Sequence, residues 1–183
     1  ALCLAILEPH LNSTGGEVPV LIHSAKEERV VAISGQGCAP KAATIDRFRG
    51  MGIDLIPGDG LLAATVPSVI STWIVALREF GNLRFSEILK PAIYLAEEGF
   101  PAYGGLLNSI EANSKRFMRE WRTTARIFLP DDKVPAEGQM MRQLDLAKTL
   151  RALSEADGSS RDRRDGFDEA HSLFYEGWIA RRI

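Results

Sequence analysis

Cysteine is scarce in this sequence of 183 residues, which contains only Cys3 and Cys38. Two cysteines are too few for a disulfide framework, and no pair has the short spacing that is typical of a zinc site. The sequence therefore predicts neither a disulfide-rich module nor a zinc domain. The redox compartment, and with it the location of the protein, stays open.

An excess of charge of one sign is also missing. Lysine and arginine number 22 against 24 acidic residues, which gives a formal net charge of −2. A domain that binds nucleic acid or an anionic membrane normally carries a basic surplus, so neither partner is expected. Long apolar runs are absent as well: the segment 1–7 is far shorter than the roughly 20 residues that cross a bilayer. We expect no membrane-spanning helix.

The sequence motifs of several large enzyme classes do not occur. There is no GxSxG elbow, no HExxH, no phosphate-binding GxxxxGK[ST] and no GxGxxG. Gly35 and Gly37 flank Gln36, but no third glycine opens a helix behind them, so a turn is favoured over a dinucleotide site. The three histidines are scattered along the chain and are interpreted as structural. Thus no catalytic residue, metal site or cofactor is predicted within this chain.

Two short segments rich in valine and isoleucine predict a β-hairpin. They run over 18–23 and 29–34, and the charged tetrad 25–28 separates them. Neither segment alternates cleanly between apolar and polar residues. We therefore expect the hairpin to belong to a sheet that is covered on both faces.

The rest of the chain has the periodicity of helices. Apolar residues recur at steps of three and four residues after Pro40, after Pro67, from Ser86 to Gly99, from Leu106 to Arg126 and around 144–153. The charged stretch 157–169 contains glycine and serine and is predicted to be a mobile insert. The overall expectation is an α/β protein in which a hairpin precedes a mostly helical layer.

The first residues, ALCLAILEP, predict the end of a buried helix that has no N-terminal cap. We expect residues 1–183 to be part of one domain whose N-terminal segment lies outside this sequence. The size of the chain fits one domain or a large part of one.

Four segments carry a resemblance to a known family. They are LRFSEILKPAIYLAEEGFP (83–101), EPHLNSTGGEVP (8–19), GQGCAPKAA (35–43) and LLAATVP (61–67). In this order they resemble the large subunit of the γ-glutamyltranspeptidase family, whose members are N-terminal-nucleophile (Ntn) hydrolases. The resemblance runs from Ala5 to Ile183.

The resemblance implies a fold, an activity and a partner. The fold is an Ntn-hydrolase-like αββα sandwich, and the activity is hydrolysis or transfer of the acyl group of γ-glutamyl amides such as glutathione. In the family a precursor cuts itself, and a threonine at the new N-terminus of the small subunit becomes the nucleophile. No segment here matches the start of that subunit. The expected partners are therefore the small subunit of the same precursor and a small-molecule amide, and this chain alone is expected to be inactive.

Gln36 departs from the family pattern. Many members have an Arg-Glu pair between the second hairpin strand and the Ala-Pro that opens the next helix, and that arginine binds the α-carboxylate of the substrate. Gln36 stands at the position of the arginine. We predict Gln36 and the adjacent Gly37 to be substrate-binding residues; the alternative for Gln36 is a turn residue whose side chain bonds to the local backbone.

A neutral amide holds a carboxylate more weakly than arginine does, so the identity of the substrate stays open. One alternative is an acylase or a small-amide amidohydrolase of the same family. A further alternative, from another class, is a non-catalytic helical interaction module that has kept only the scaffold.

Overall fold

The computed structural model describes residues 1–183, which form two compact units. Unit 1 comprises Ala1–Ser13 and Gly81–Ile183, and unit 2 comprises Thr14–Phe80. The helices are α1 (Leu4–Leu7), α2 (Ile45–Gly50), α3 (Val69–Phe80), α4 (Phe85–Glu98), α5 (Gly104–Arg119), α6 (Arg122–Phe128), α7 (Leu144–Ser159), α8 (Arg163–Tyr175) and α9 (Trp178–Arg182). The strands are β1 (Val20–Ser24), β2 (Arg29–Ile33), β3 (Phe100–Pro101) and β4 (Met140–Met141).

In unit 2, β1 and β2 form the predicted antiparallel hairpin, with Val20 opposite Ile33 and Ser24 opposite Arg29. The prediction that both faces of this sheet are covered is wrong within residues 1–183. Alternate positions of both strands are exposed, and Leu21 and Val30 on that face are 76% and 63% exposed. The reason is that this sheet has only two strands, and most residues of its other face are half-buried.

The two helices of unit 2 differ in burial. Helix α2 starts where the Thr44 hydroxyl accepts a hydrogen bond from the Arg47 N–H at 3.3 Å, and none of its residues is buried. The sequence predicts a helix that Pro67 opens, and α3 begins two residues later, at Val69. Its residues Ile70 and Ile74 are buried, in agreement with the predicted apolar stripe.

The core of unit 1 is a helical layer in which α4 packs on α7 and α7 packs on α8. Helix α4 ends at Gly99, whose φ of 91° is accessible to glycine at low cost. The predicted apolar face of α4 is confirmed, since Leu89, Ala92, Ile93 and Ala96 are all buried. Strands β3 and β4 pair in a second small sheet.

The helix predicted from Leu106 to Arg126 is two helices, α5 and α6, that meet at Trp121. The φ and ψ of Trp121 are −121° and 62°, which are not helical values. Its ring stacks on Phe117 at 5.9 Å, and the Arg116 guanidinium lies 4.3 Å from the ring centre. These contacts fold the side chain back on α5, and the chain starts a new helix. Periodicity alone does not reveal such a break, because the apolar spacing continues across it.

The prediction of a mobile insert at 157–169 is also wrong. Helix α7 extends to Ser159, and α8 starts at Arg163. Asp157 is fully buried, and its carboxylate accepts a hydrogen bond from the Ser86 N–H at 2.9 Å. Asp162 caps α8 by accepting from two backbone N–H groups, and these bonds lower the pKa of its carboxyl. Asp157 and Asp162 therefore bond to the backbone at the starts of α4 and α8, and the segment is not disordered.

The structure is mostly helical and contains the hairpin, as the sequence predicts, and it has a second small sheet that the sequence did not predict. No helix in it has both the length and the apolar character that crossing a membrane requires.

Candidate functional site

The predicted site residues follow β2 in unit 2, where the chain leaves the hairpin in an extended path. The Gly35 carbonyl accepts hydrogen bonds from the Val18 N–H at 2.9 Å and from the Ser68 hydroxyl at 2.5 Å. The Ser68 N–H in turn donates to the Gly16 carbonyl at 3.0 Å. Three parts of unit 2 are thus joined immediately before Gln36.

The chain is held equally closely after Gln36. The Val66 N–H donates to the Cys38 carbonyl at 2.9 Å. A Cβ atom at Gly37 would lie 1.8 Å from the Val66 carbonyl oxygen, and one at Gly35 would lie 1.9 Å from the Val18 carbonyl oxygen. Such distances exclude any side chain without movement of the backbone. The two glycines therefore let three backbone segments approach each other, and Gln36 lies between them on a fixed support.

The Gln36 side chain is exposed and makes no hydrogen bond with the backbone or with another side chain. Its amide therefore has two N–H donors and a carbonyl acceptor that can bind a ligand. The alternative, in which this side chain bonds to the local backbone, does not occur in the structure. A role for Gln36 and Gly37 in substrate binding stays a prediction.

Cys38 is exposed and, like Cys3, is a free thiol. No group of three or more His, Cys, Asp or Glu side chains is arranged to hold a metal ion.

Sequence reasoning missed the contacts made by Val66 and Ser68. These residues are far from the hairpin in the sequence: Ser68 follows Gly35 by 33 residues. The only signal is the Gly-Gln-Gly spacing, which favours a turn over a dinucleotide site. The two glycines allow backbone to pack closely against backbone. A single sequence does not identify the distant segment that packs against them.

Comparisons with known proteins indicate the family. Over 182 residues the chain is 31% identical to the glutathione hydrolase-like YwrD proenzyme of Bacillus subtilis, and the match covers 99% of this chain and 32% of that protein. It is 31% identical over 189 residues to the oxamate amidohydrolase proenzyme of Klebsiella pneumoniae, covering 100% of this chain and 33% of that protein. The chain thus spans about a third of the length of these relatives.

A solved structure agrees with these matches. Cephalosporin acylase from Bacillus halodurans is 27% identical and superposes with a TM-score of 0.84, covering 100% of this chain and 32% of that one. The family model described as Gamma-glutamyltranspeptidase matches residues 1–183. The match extends over the whole sequence and includes both units, so the chain belongs to the γ-glutamyltranspeptidase family.

Proposed function

We propose that this chain is part of the large subunit of an enzyme that hydrolyses or transfers the acyl group of γ-glutamyl amides such as glutathione. The observation that carries the proposal is the family match over residues 1–183. The two relatives described above are named proenzymes, which supports a precursor that is cut into subunits. In this proposal the hairpin of unit 2 contributes to an αββα sandwich that the small subunit of the same precursor completes.

The proposed chemistry uses a threonine at the N-terminus of the small subunit. Its hydroxyl oxygen forms a bond with the acyl carbon, and its proton passes through the α-amine to the leaving amine as the C–N bond breaks. Water or a second amine then takes the acyl group and regenerates the hydroxyl. This chain supplies binding groups to that reaction and no nucleophile.

Gln36 is the binding group that we assign to the acyl part of the substrate, with Gly37 beside it. The exposed amide of Gln36 has free donors, and the backbone on both sides of it is fixed by the bonds to Val18, Ser68 and Val66. A polar side chain on a rigid support is a frequent arrangement at binding sites.

A second candidate is an acylase or a small-amide amidohydrolase of the same family. Gln36 favours it, because a neutral amide does not select for a carboxylate. The names oxamate amidohydrolase and cephalosporin acylase point to acyl groups other than γ-glutamyl among the relatives. The non-catalytic module has no comparable support, since the relatives reported above are named as enzymes.

Turnover of matched anilides by the full-length, processed protein tests the proposal. The butyryl anilide has neither charged group, the glutaryl anilide adds a carboxylate, and the γ-glutamyl anilide adds both the carboxylate and the ammonium group. Selective cleavage of the γ-glutamyl compound supports the first candidate, and comparable rates for all three support the second. A folded, processed protein that cleaves none of these anilides, glutathione or small aliphatic amides would contradict both.

A further inference from the structure

The Ser68 side chain joins the start of α3 to the backbone immediately before Gln36. Its hydroxyl donates a hydrogen bond to the Gly35 carbonyl at 2.5 Å. The contacts from Val18 and Val66 to the same loop come from backbone N–H groups, which every residue except proline has. The Ser68 hydroxyl is a side-chain donor, so its contribution depends on which residue stands at position 68.

The Gly35 carbonyl belongs to the same peptide unit as the Gln36 N–H. A peptide unit is planar, so the direction of the carbonyl also fixes the direction of the N–H and the position of the Gln36 Cα. The carbonyl accepts one hydrogen bond from the Val18 N–H at 2.9 Å and a second from Ser68. One bond alone lets the peptide plane rock about that bond, whereas two bonds from different segments hold its orientation. The Ser68 hydroxyl therefore helps to orient Gln36.

Ser68 is itself held on three sides. Its N–H donates to the Gly16 carbonyl at 3.0 Å. Its carbonyl accepts hydrogen bonds from the N–H and the hydroxyl of Thr72, at 2.9 Å and 2.8 Å. Thr72 and the neighbouring Ile70 are buried, which anchors this end of α3. The Ser68 hydroxyl is thus a donor on a rigid element, the kind of support that keeps a binding group in place.

We propose that Ser68 is a positioning residue for acyl recognition: through the Gly35 carbonyl, its hydroxyl holds Gln36 where the Gln36 side chain binds the acyl part of the substrate. The inference rests on the proposed function, in which Gln36 contacts that part. Ser68 does not touch the substrate in this assignment and takes part in no bond-breaking step. A binding group that is already held loses less freedom when the ligand binds, so the gain is in affinity for the acyl group.

A purely structural role of the Ser68 hydroxyl would have a different effect on substrates. Loss of stability reduces the fraction of active enzyme, which lowers the apparent kcat for every substrate by the same factor. Displacement of Gln36 weakens binding of the γ-glutamyl group, so KM rises for the γ-glutamyl anilide and not for the butyryl anilide. We define the acyl preference as kcat/KM for the γ-glutamyl anilide divided by kcat/KM for the butyryl anilide. A change in the acyl preference separates the two roles.

Variants of Ser68 in the full-length processed enzyme test the assignment. Ser68→Ala removes the donor, and the Gly35 carbonyl keeps its bond to Val18, so no buried acceptor is left unpaired. The acyl preference is expected to fall about threefold, the effect of one neutral hydrogen bond. Ser68→Cys has a thiol of similar size that donates only weakly, and it should cause a similar fall. Ser68→Thr keeps the hydroxyl and should retain the acyl preference of the parent.

A double-mutant cycle shows whether Ser68 acts through Gln36. Gln36→Ala alone is expected to lower the acyl preference, and adding Ser68→Ala to it should cause no further change. Thr65→Val is the matched control. The Thr65 hydroxyl, three residues before Ser68, donates to the Glu17 carboxylate at 3.3 Å instead of to the Gly35 carbonyl. Valine has nearly the shape of threonine, so Thr65→Val removes only this hydroxyl and should leave the acyl preference unchanged.

The outcomes bear separately on this assignment and on the proposed function. An unchanged acyl preference in Ser68→Ala and Ser68→Cys, with the γ-glutamyl anilide still cleaved, would overturn the positioning role and leave the proposed function intact. A Ser68→Ala effect that persists in the Gln36→Ala background, or an equal effect of Thr65→Val, would also overturn it. A parent enzyme that cleaves none of the anilides, glutathione or small aliphatic amides would reject the proposed function and this assignment with it.

Discussion

At the scale of single residues, Gln36 has the clearest chemical consequence. Its side chain is free, while the carbonyls of Gly35 and Cys38 on either side are bonded to other segments. A substitution at Gln36 therefore changes the chemistry of the exposed group and leaves the support unchanged. Gly37 differs, since even a methyl group there would strike the Val66 carbonyl.

Gln36→Arg is expected to shift acyl preference toward carboxylate-bearing donors. A hydrogen bond to a charged partner contributes about 1.5–3 kcal/mol, and a neutral one gives about half as much, so the change is of the order of tenfold. The measurement is kcat/KM of the full-length processed enzyme for the γ-glutamyl anilide relative to the butyryl anilide. Gln36→Glu serves as the control, because reversing the charge should lower the same ratio. If the ratio does not change in a folded, processed Gln36→Arg variant, Gln36 does not face the acyl group.

The sequence proposed a position for the candidate site, but it did not predict the contacts that fix the backbone there. The GQGCAP segment of the resemblance and its departure at Gln36 identified the loop. The contacts that fix it come from Val66 and Ser68, and nothing in the local sequence specifies them.

At the scale of elements, the start of α4 is stabilised by a residue of α7 that lies far from it in the sequence. Glu87 accepts a hydrogen bond from the Arg84 N–H at 2.7 Å, and Asp157 accepts from Ser86. The Arg84 guanidinium also donates to the Asp157 carbonyl at 3.0 Å. Gly166 of α8 packs on this cluster, so α4, α7 and α8 meet at one polar contact in the core.

Gly166→Ala is expected to destabilise the protein by about 1–3 kcal/mol. The added Cβ would lie 2.5 Å from the Asp157 carbonyl oxygen and 2.8 Å from its carboxylate. Gly158 in α7 is the matched control: nothing lies within 4 Å of its added Cβ, so Gly158→Ala should raise stability by about 0.5–1 kcal/mol. Chemical denaturation of the full-length protein measures both. Equal effects of the two substitutions would mean that α8 does not approach Asp157 this closely.

Periodicity predicted those elements whose apolar stripe agrees with their burial, such as α3 and α4. It failed at 157–169, where the composition is polar although α7 and α8 are regular helices. Those helices are stabilised by tertiary packing through Leu153, Phe167 and Ala170, all fully buried, and by the cap at Asp162. Helix propensity and composition carry little information about such contacts.

At the scale of the whole molecule, the two units have different surfaces. Unit 1 has a helical core of many buried apolar residues, whereas the buried large apolar side chains of unit 2 are Val69, Ile70 and Ile74 alone. Leu61 is 92% exposed, Leu55 is 85% exposed and Leu21 is 76% exposed. Large apolar side chains that are this exposed favour contact with another protein segment over contact with water.

Residues 1–183 produced alone are therefore expected to be insoluble or partly unfolded. The apolar side chains of unit 2 would face water, so we expect strong binding of a hydrophobic dye and no cooperative thermal transition. The full-length precursor, prepared in parallel, is the control and should melt cooperatively. A soluble monomer of residues 1–183 with a sharp transition would contradict this expectation.

The cap of α4 also has a consequence for the order of events on the ribosome. Ser86 and Asp157 are 71 residues apart in the sequence. The ribosome synthesises a segment of this length in roughly 4–14 s at about 5–20 residues per second. During that interval the nascent helix has Glu87, only three residues from Arg84, as its local cap. Translation of Asp157 therefore sets the earliest moment at which the amino end of α4 can reach its final, buried arrangement.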